Sequence, residues 1–511
     1  MDRRIRVLAL FLVGCFALLI AQLDNIQIRQ APTLNAKTAY QAQTSQLSPF
    51  NEPRGEIVTA DGVVIARSVA THDAELEQRI YPDGSLYTDI TGYYDTTGFA
   101  APQGIEASYD SDLQPHPATA SDLHELLTEQ SGTDSVVTTV ISSIQQAAAT
   151  ALAHYSAGAV VVLDPATGAV LAMYGKPTFD PNVLASHDAA AVTKAFAALD
   201  PSSGSSPLIN YATGQEFNPG STFKVITTSA IFDDDPAIAG MTFKPVAKIS
   251  LPETNKTLQN FGGEVCGGDL AEVLAKSCDT AYAQIGLLLG AENLASEASA
   301  FGFNVAPPID LPAAEVAEPC FPPVGTATSS NPECPAGVVA IGSANKPGIA
   351  YSAIGQENVK ETALEDAMVA AAVANGGTMM VPHLMSRVVN SAGAIVSTFS
   401  PRVWRQATSA DTAAQVLELM RGVVTGGTAG AVGFPPADHV AAKTGTAETG
   451  TSGCSTNWLI ATAPADPEDT PRVAVAAVVP YQAGTTCDGT GAEFAGPIVK
   501  SVLAAALAAT S

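Results

Sequence analysis

A chain of 511 residues is too long for one ordinary domain and suits two or three. Its formal charge of −26 argues against a nucleic-acid partner, whose phosphates need a basic surface. Only 14% of its residues are charged and 46% are hydrophobic, which excludes an acidic disordered tail and provides for a large core.

The chain opens with Arg3, Arg4 and Arg6 ahead of an apolar run from Val7 to Leu23, broken only by Gly14 and Gln22 and followed by Asp24. Basic residues before such a run predict a cytoplasmic N-terminus, an uncleaved single-pass anchor in the lipid bilayer over residues 7–23, and an extracytoplasmic body. A cleaved signal peptide would need a small-x-small site, and none is clear. Leu12-Val13-Gly14-Cys15 resembles a lipoprotein box, but the apolar run continues past Cys15. The other six cysteines form an even set that suits an oxidising compartment and leaves their pairing open. Sequence neighbours would pair Cys266 with Cys278, Cys320 with Cys334, and Cys454 with Cys487. There is no C-x-x-C or H-E-x-x-H, so a zinc site has little support.

Residues 32–52 are polar, without regular periodicity, and read as a stalk. Arg54-Gly55-Glu56-Ile57-Val58 opens a strand, and Ala60-Asp61-Gly62 turns it into Val63–Ala66. Residues 80–115 are rich in Tyr, Asp, Gly and Thr and read as short strands and loops; 122–130 and 140–155 read as helices. Ala159–Leu163 is an apolar strand, returned by the Asp164-Pro165-Ala166-Thr167-Gly168 turn into Ala169–Met173. Ala-rich stretches at Lys224–Phe232, Ala271–Leu289 and Thr362–Ala374 read as helices, and Pro319–Gly337 as a surface loop. Strands follow at His439–Thr444, Asn457–Thr462 and Arg472–Val479, then an apolar helix at Gly496–Ala508. Two early and three late strands with helices between predict an α+β domain over 157–511, an antiparallel sheet carrying a helical lobe.

Three short motifs fall within that domain. Ser221 and Lys224, in Pro219-Gly220-Ser221-Thr222-Phe223-Lys224, place a hydroxyl and an amine on one face of a first helical turn. Such a pair makes a nucleophile without histidine if burial and nearby positive charge hold the amine neutral. Ser277-Cys278-Asp279 precedes a helical stretch, where a helix cap is its plainer explanation. Lys443-Thr444-Gly445-Thr446 ends a strand. In this order the motifs suit acyl transfer. Ser221 attacks a carbonyl, Lys224 takes its proton, Ser277 relays a proton to the leaving amine, and Lys443 lowers the Lys224 pKa and favours an anionic substrate. Gly445 would let the strand approach a ligand. The Thr444 and Thr446 hydroxyls would hold a terminal carboxylate, and the N–H groups of Ser221 and Thr446 an oxyanion.

At these residues the chain resembles the class B penicillin-binding proteins, and within them the actinobacterial penicillin-binding protein A group. S-x-x-K, a serine motif and K-T-G in this order form the signature shared by penicillin-binding proteins and serine β-lactamases. The likeness extends to Arg54-Gly55-Glu56-Ile57, Gly104-Ile105-Glu106, Asp164-Pro165, Phe179-Asp180-Pro181-Asn182 and Ile354-Gly355-Gln356. It implies a penicillin-binding, serine β-lactamase-like transpeptidase domain after an elongated strand-rich pedestal or dimerisation-type domain at 31–156 and an anchor at 1–30. It also implies D,D-transpeptidation of peptidoglycan stem peptides in division or elongation, covalent inhibition by β-lactams, and a membrane glycosyltransferase partner. A D,D-carboxypeptidase would use the same acyl-enzyme, and a weakly catalytic or non-catalytic scaffold would bind the same ligands. One departure stands out: the family usually has Asn where this chain has Asp279. The Asn amide contacts the substrate backbone, whereas an ionised Asp can only accept hydrogen bonds.

Overall fold

A computed structural model of the protein describes residues 52–73, 76–115, 132–325, 334, 338–343, 345–449, 454–466, 468–481 and 489–510. The expected anchor, the stalk and the helix at 122–130 lie outside the described residues. Arg54–Ser68 and Arg79–Ser511 form one compact body.

Gly158–Leu163 (β4) and Val473–Val479 (β10) are unbroken apolar runs with every residue buried. Strands of this kind belong in the middle of a sheet covered on both faces. They lie at the centre of a five-stranded antiparallel sheet in the order β8 (Ala441–Glu448), β9 (Ser455–Ala463), β10, β4, β5 (Val170–Lys176). This is the α+β architecture expected from the sequence. Two helices cover the sheet: α5 (Ala363–Ala374), buried along its whole length, and α7 (Gly491–Ala509). Among the described residues, α7 alone is long and apolar enough to cross a membrane, but its Ala495, Ile498, Val499, Val502 and Leu503 pack into the core.

A second sheet joins β1 (Ile57–Val58), β2 (Val64–Ala70) and β3 (Ser135–Thr138) to β6 (Met385–Val389) and β7 (Ile395–Thr398). The last two strands come from far along the chain and had no counterpart in the sequence reading. β3 pairs β1 in parallel and β6 antiparallel. Behind β1, Glu106 is fully buried between Arg54 (Nε–Oε2 2.7 Å) and Arg79 (Nε–Oε1 2.6 Å). The two guanidinium groups hold its carboxyl below the ordinary value against the effect of burial.

Three expectations need correction. Beyond the strand Glu77–Ile80, residues 80–115 form short helical pieces (Gly84–Leu86, Thr88–Thr91, Gly104–Ser108, Asp110–Leu113) rather than strands. Each is too short to show a helical period, and their apolar residues Ile90, Tyr93 and Ile105 are buried. Ala271–Leu289 is not one helix. It breaks into α3 (Leu270–Ala275) and α4 (Asp279–Ala300) because Ser277 takes a left-handed conformation, φ 58°. Pro319–Gly337 begins in the core: Phe321 is fully buried and stacks on Phe223, centroids 5.5 Å apart. Two expected disulfides, Cys266–Cys278 and Cys320–Cys334, are formed. Cys454 is disulfide-bonded too; its expected partner Cys487 lies outside the described residues.

Candidate active site

Pro219 and Gly220 turn the chain into a short 3-10 helix, Gly220–Phe223, that runs on into α2 (Lys224–Asp234). Every residue of α2 from Lys224 to Ile231 is buried, so the helix carrying the amine is anchored on all sides. Ser221 stays half-buried and lines an open cleft with Ser277, Asp279, Thr444 and Thr446. The segment before it is tied down by a backbone bridge in which Phe217 and Glu361 exchange N–H···O bonds of 2.9 Å. Trp458 Nε1 also donates to the Asn218 carbonyl at 2.9 Å.

The left-handed turn at Ser277 aims its hydroxyl between two buried lysines. Lys443 Nζ donates to Ser277 Oγ at 2.9 Å and to the Thr444 carbonyl at 2.9 Å. Lys224 Nζ donates to Ser277 Oγ at 3.2 Å, to the Ser277 carbonyl at 2.8 Å and to Asp279 Oδ1 at 2.7 Å. None of these three partners is Ser221. Burial pushes the Lys224 pKa down, and the Asp279 carboxylate pulls it back up. Burial, followed by the neighbouring Lys224 charge, pushes Lys443 well below the usual lysine value. The repulsion between the two amines is mutual, and Asp279, in contact with Lys224, opposes the loss of charge there.

Gly445 lets the strand lie against the nucleophile turn: a Cβ there would lie 2.6 Å from the Pro219 carbonyl oxygen and 3.0 Å from Thr222 Cγ2. The Thr444 and Thr446 side chains do reach the cleft. Thr444 Oγ1 shares a 2.6 Å hydrogen bond with Thr428 Oγ1, and Thr446 Oγ1 accepts from the Gly491 N–H at 3.2 Å.

Sequence reasoning missed several cleft residues. Thr428 follows helix α6 (Ala410–Gly426); its only sequence signal is the Gly-Gly-Thr that ends that helix. Phe261 and Glu264 sit on a loop clamped to the second motif at two points. Cys266 is bridged to Cys278, and Asn260 Oδ1 accepts from the Thr280 N–H at 2.8 Å. Beneath the nucleophile turn, Thr222 Oγ1 lies 3.4 Å from Glu361 Oε1. Burial and its acidic neighbours Asp366 and Glu365 push the Glu361 carboxyl well up.

Two family descriptions match the chain: a penicillin binding protein transpeptidase domain over residues 158–504 and a penicillin binding protein A dimerisation domain over residues 54–137. The chain is 35% identical to the peptidoglycan D,D-transpeptidase PbpA of Mycolicibacterium smegmatis over 99% of both chains. It is 34% identical to PbpA of Mycobacterium tuberculosis, again over 99% of both. Among solved structures, the ceftriaxone acyl-enzyme of M. tuberculosis penicillin-binding protein A superposes with a TM-score of 0.78 at 33% identity, covering 90% of this chain and all of that one. The penicillin G acyl-enzyme of the same protein gives 0.76 at 34% identity, covering 89% of this chain and all of that one. Full-length identity, both matched domains and the shared fold agree: this chain belongs to the class B penicillin-binding proteins, of the penicillin-binding protein A type.

Proposed function

We propose that the protein is a serine D,D-transpeptidase that cross-links peptidoglycan stem peptides through an acyl-enzyme and is inhibited covalently by β-lactams. The observation that carries this reading is a cleft lined by Ser221 and Ser277, with the buried Lys224 and Lys443 both donating to the Ser277 hydroxyl. The names of the relatives, which are peptidoglycan transpeptidases and β-lactam acyl-enzymes, support it.

In this mechanism Ser221 Oγ attacks the carbonyl of the penultimate D-Ala of the donor, and neutral Lys224 takes the hydroxyl proton. The N–H groups of Ser221 and Thr446 hold the oxyanion, a contribution of about 10²–10³ in rate per donor. Ser277, bridged to both lysines, passes the proton to the departing D-Ala amine as the C–N bond breaks. An acceptor amine then attacks the ester and Ser221 leaves with its proton restored. Lys443, with Thr444 and Thr446, holds the terminal carboxylate. Asp279 lies beside the donor peptide, and Gly445 lets the nucleophile turn close against β8.

Residues 1–30 form the anchor, crossing the lipid bilayer over 7–23; 31–156 form the pedestal and 157–511 the transpeptidase domain, which faces the extracytoplasmic side. The spans of the two family descriptions support the division, and the disulfides support an oxidising compartment. A wall-synthesis glycosyltransferase in the same membrane is the partner such an enzyme needs, since it cross-links strands another enzyme polymerises.

Labelling with a fluorescent penicillin tests the reading. Wild type forms a covalent adduct that Ser221→Ala abolishes. A wild type unlabelled at high drug concentration sinks the catalytic reading. It favours a non-catalytic scaffold, a reading in which the Lys224–Asp279 contact holds the amine charged.

A further inference from the structure

The shortest polar contact of the expected base is with Asp279, at the position where the resemblance leads to an expectation of Asn. Lys224 Nζ and Asp279 Oδ1 are 2.7 Å apart; the lysine side chain is fully buried and the aspartate 19% exposed, on the cleft wall. The other groups facing Lys224 are Tyr282 of α4, whose ring centre is 5.3 Å from Nζ, and Lys443 of β8, reached through the shared Ser277 hydroxyl. Asp366 of α5 acts on Lys443 from behind. Among the described residues, Asp279 is therefore the one acid in direct contact with the Lys224 amine. A base held as an ammonium cannot take the Ser221 proton.

We propose that Asp279 is the resting counter-ion of Lys224 and thereby a positioning residue for acylation. The ammonium stays on Asp279 until a ligand N–H engages that carboxylate from the cleft. The inference rests on the acyl-enzyme reading above. The proton balance is simple. The Lys224 ammonium first loses a proton to solvent. The neutral amine then accepts the Ser221 proton as the Oγ–C bond forms, and that proton leaves on the departing nitrogen as the C–N bond breaks. Asp279 gains and loses no proton. It sets how readily the first loss occurs and favours donors that present an N–H, rather than a carbonyl, to the cleft wall.

The sign of the effect follows. Acylation needs neutral Lys224, so its rate rises with pH through the Lys224 pKa. An opposite charge within hydrogen-bond distance raises that pKa, so Asp279→Asn lowers it. The experiment has two readouts. The titration of Lys224 is followed directly by NMR of the lysine side-chain carbons, its signal assigned by its absence in Lys224→Arg. In parallel, acylation by a fluorescent penicillin is timed from pH 6 to pH 10. The expected result is a Lys224 midpoint displaced to lower pH in Asp279→Asn, with the rising limb of acylation displaced equally. Identical midpoints in the two proteins overturn the proposal, as does an Asp279→Asn rate depressed uniformly at every pH. A displaced midpoint with no Ser221-dependent adduct in either protein leaves the ion pair established and rejects the acyl-enzyme reading instead.

Discussion

Gly220 lies against Thr446 so closely that a Cβ on it would sit 2.9 Å from the Thr446 carbonyl oxygen. Its φ is +58°, and its N–H donates to the Gly355 carbonyl at 2.9 Å. This contact locks the nucleophile turn onto strand β8, and so sets Ser221 beside the K-T-G motif. Gly220→Ala meets both the left-handed penalty of about 1–2 kcal/mol and a clash with backbone. It should lower the melting temperature and slow β-lactam acylation by about 10²-fold, because displacements near 1 Å at the reacting atoms cost that much. A wild-type acylation rate in Gly220→Ala would contradict the role given to this contact.

Ser277 separates its chemical role from its structural one. Ser277→Ala leaves Lys224 and Lys443 short of a shared acceptor, and acylation should fall by about 10²–10⁴-fold. Ser277→Gly removes the same hydroxyl but suits the left-handed φ of 58°. It should lose the same rate while melting at a higher temperature than Ser277→Ala. Rates that differ between the two variants would place the effect in the backbone instead. Kinetic traces with parallel melting curves decide.

The Cys266–Cys278 and Cys320–Cys334 disulfides should differ in consequence. Each closes a short loop, with sequence separations of 12 and 14, and each contributes on the order of 3 kcal/mol. Loss of either lowers thermal stability. Only Cys266→Ser with Cys278→Ser should also slow acylation, since Cys278 lies between Ser277 and Asp279 and holds the Phe261–Glu264 loop against them. Equal acylation rates in the two double variants would show that the loop clamp is dispensable.

Glu297 makes stability depend on pH. It is buried on α4, and burial, then Asp233 and Asp234, push its carboxyl up to about 9. The folded state keeps the proton, while the unfolded chain releases it above about 4.5. Its folded form is therefore favoured most below that value and loses stability as pH rises toward 9. Near neutral pH the accumulated cost is about 3 kcal/mol. Glu297→Gln should melt close to wild type at pH 5 and several degrees higher at pH 8. A gap that is the same at both pH values would rule out titration as the cause. Glu365, buried and raised to about 8, adds to the same trend in wild type.

What the sequence determined by itself was the central sheet and the three motifs that meet in the fold. β4 and β10 are legible because strands buried on both faces must be continuous apolar runs, and the three motifs because their chemistry needs particular side chains in a particular order. The short helices of 80–115, the break at Ser277 and the strands β6 and β7 were not legible. Each depends on contacts with residues tens to hundreds of positions away, which no local period records. Asp279 was visible as an odd residue, yet its partner was not: it lies 55 positions from Lys224. Only the tertiary structure decided that the carboxylate sits on the base rather than on the substrate side alone, because the left-handed turn at Ser277 swings the start of α4 over the buried amine. The same packing decided why position 445 is glycine, because a Cβ there would clash with the Pro219 carbonyl oxygen.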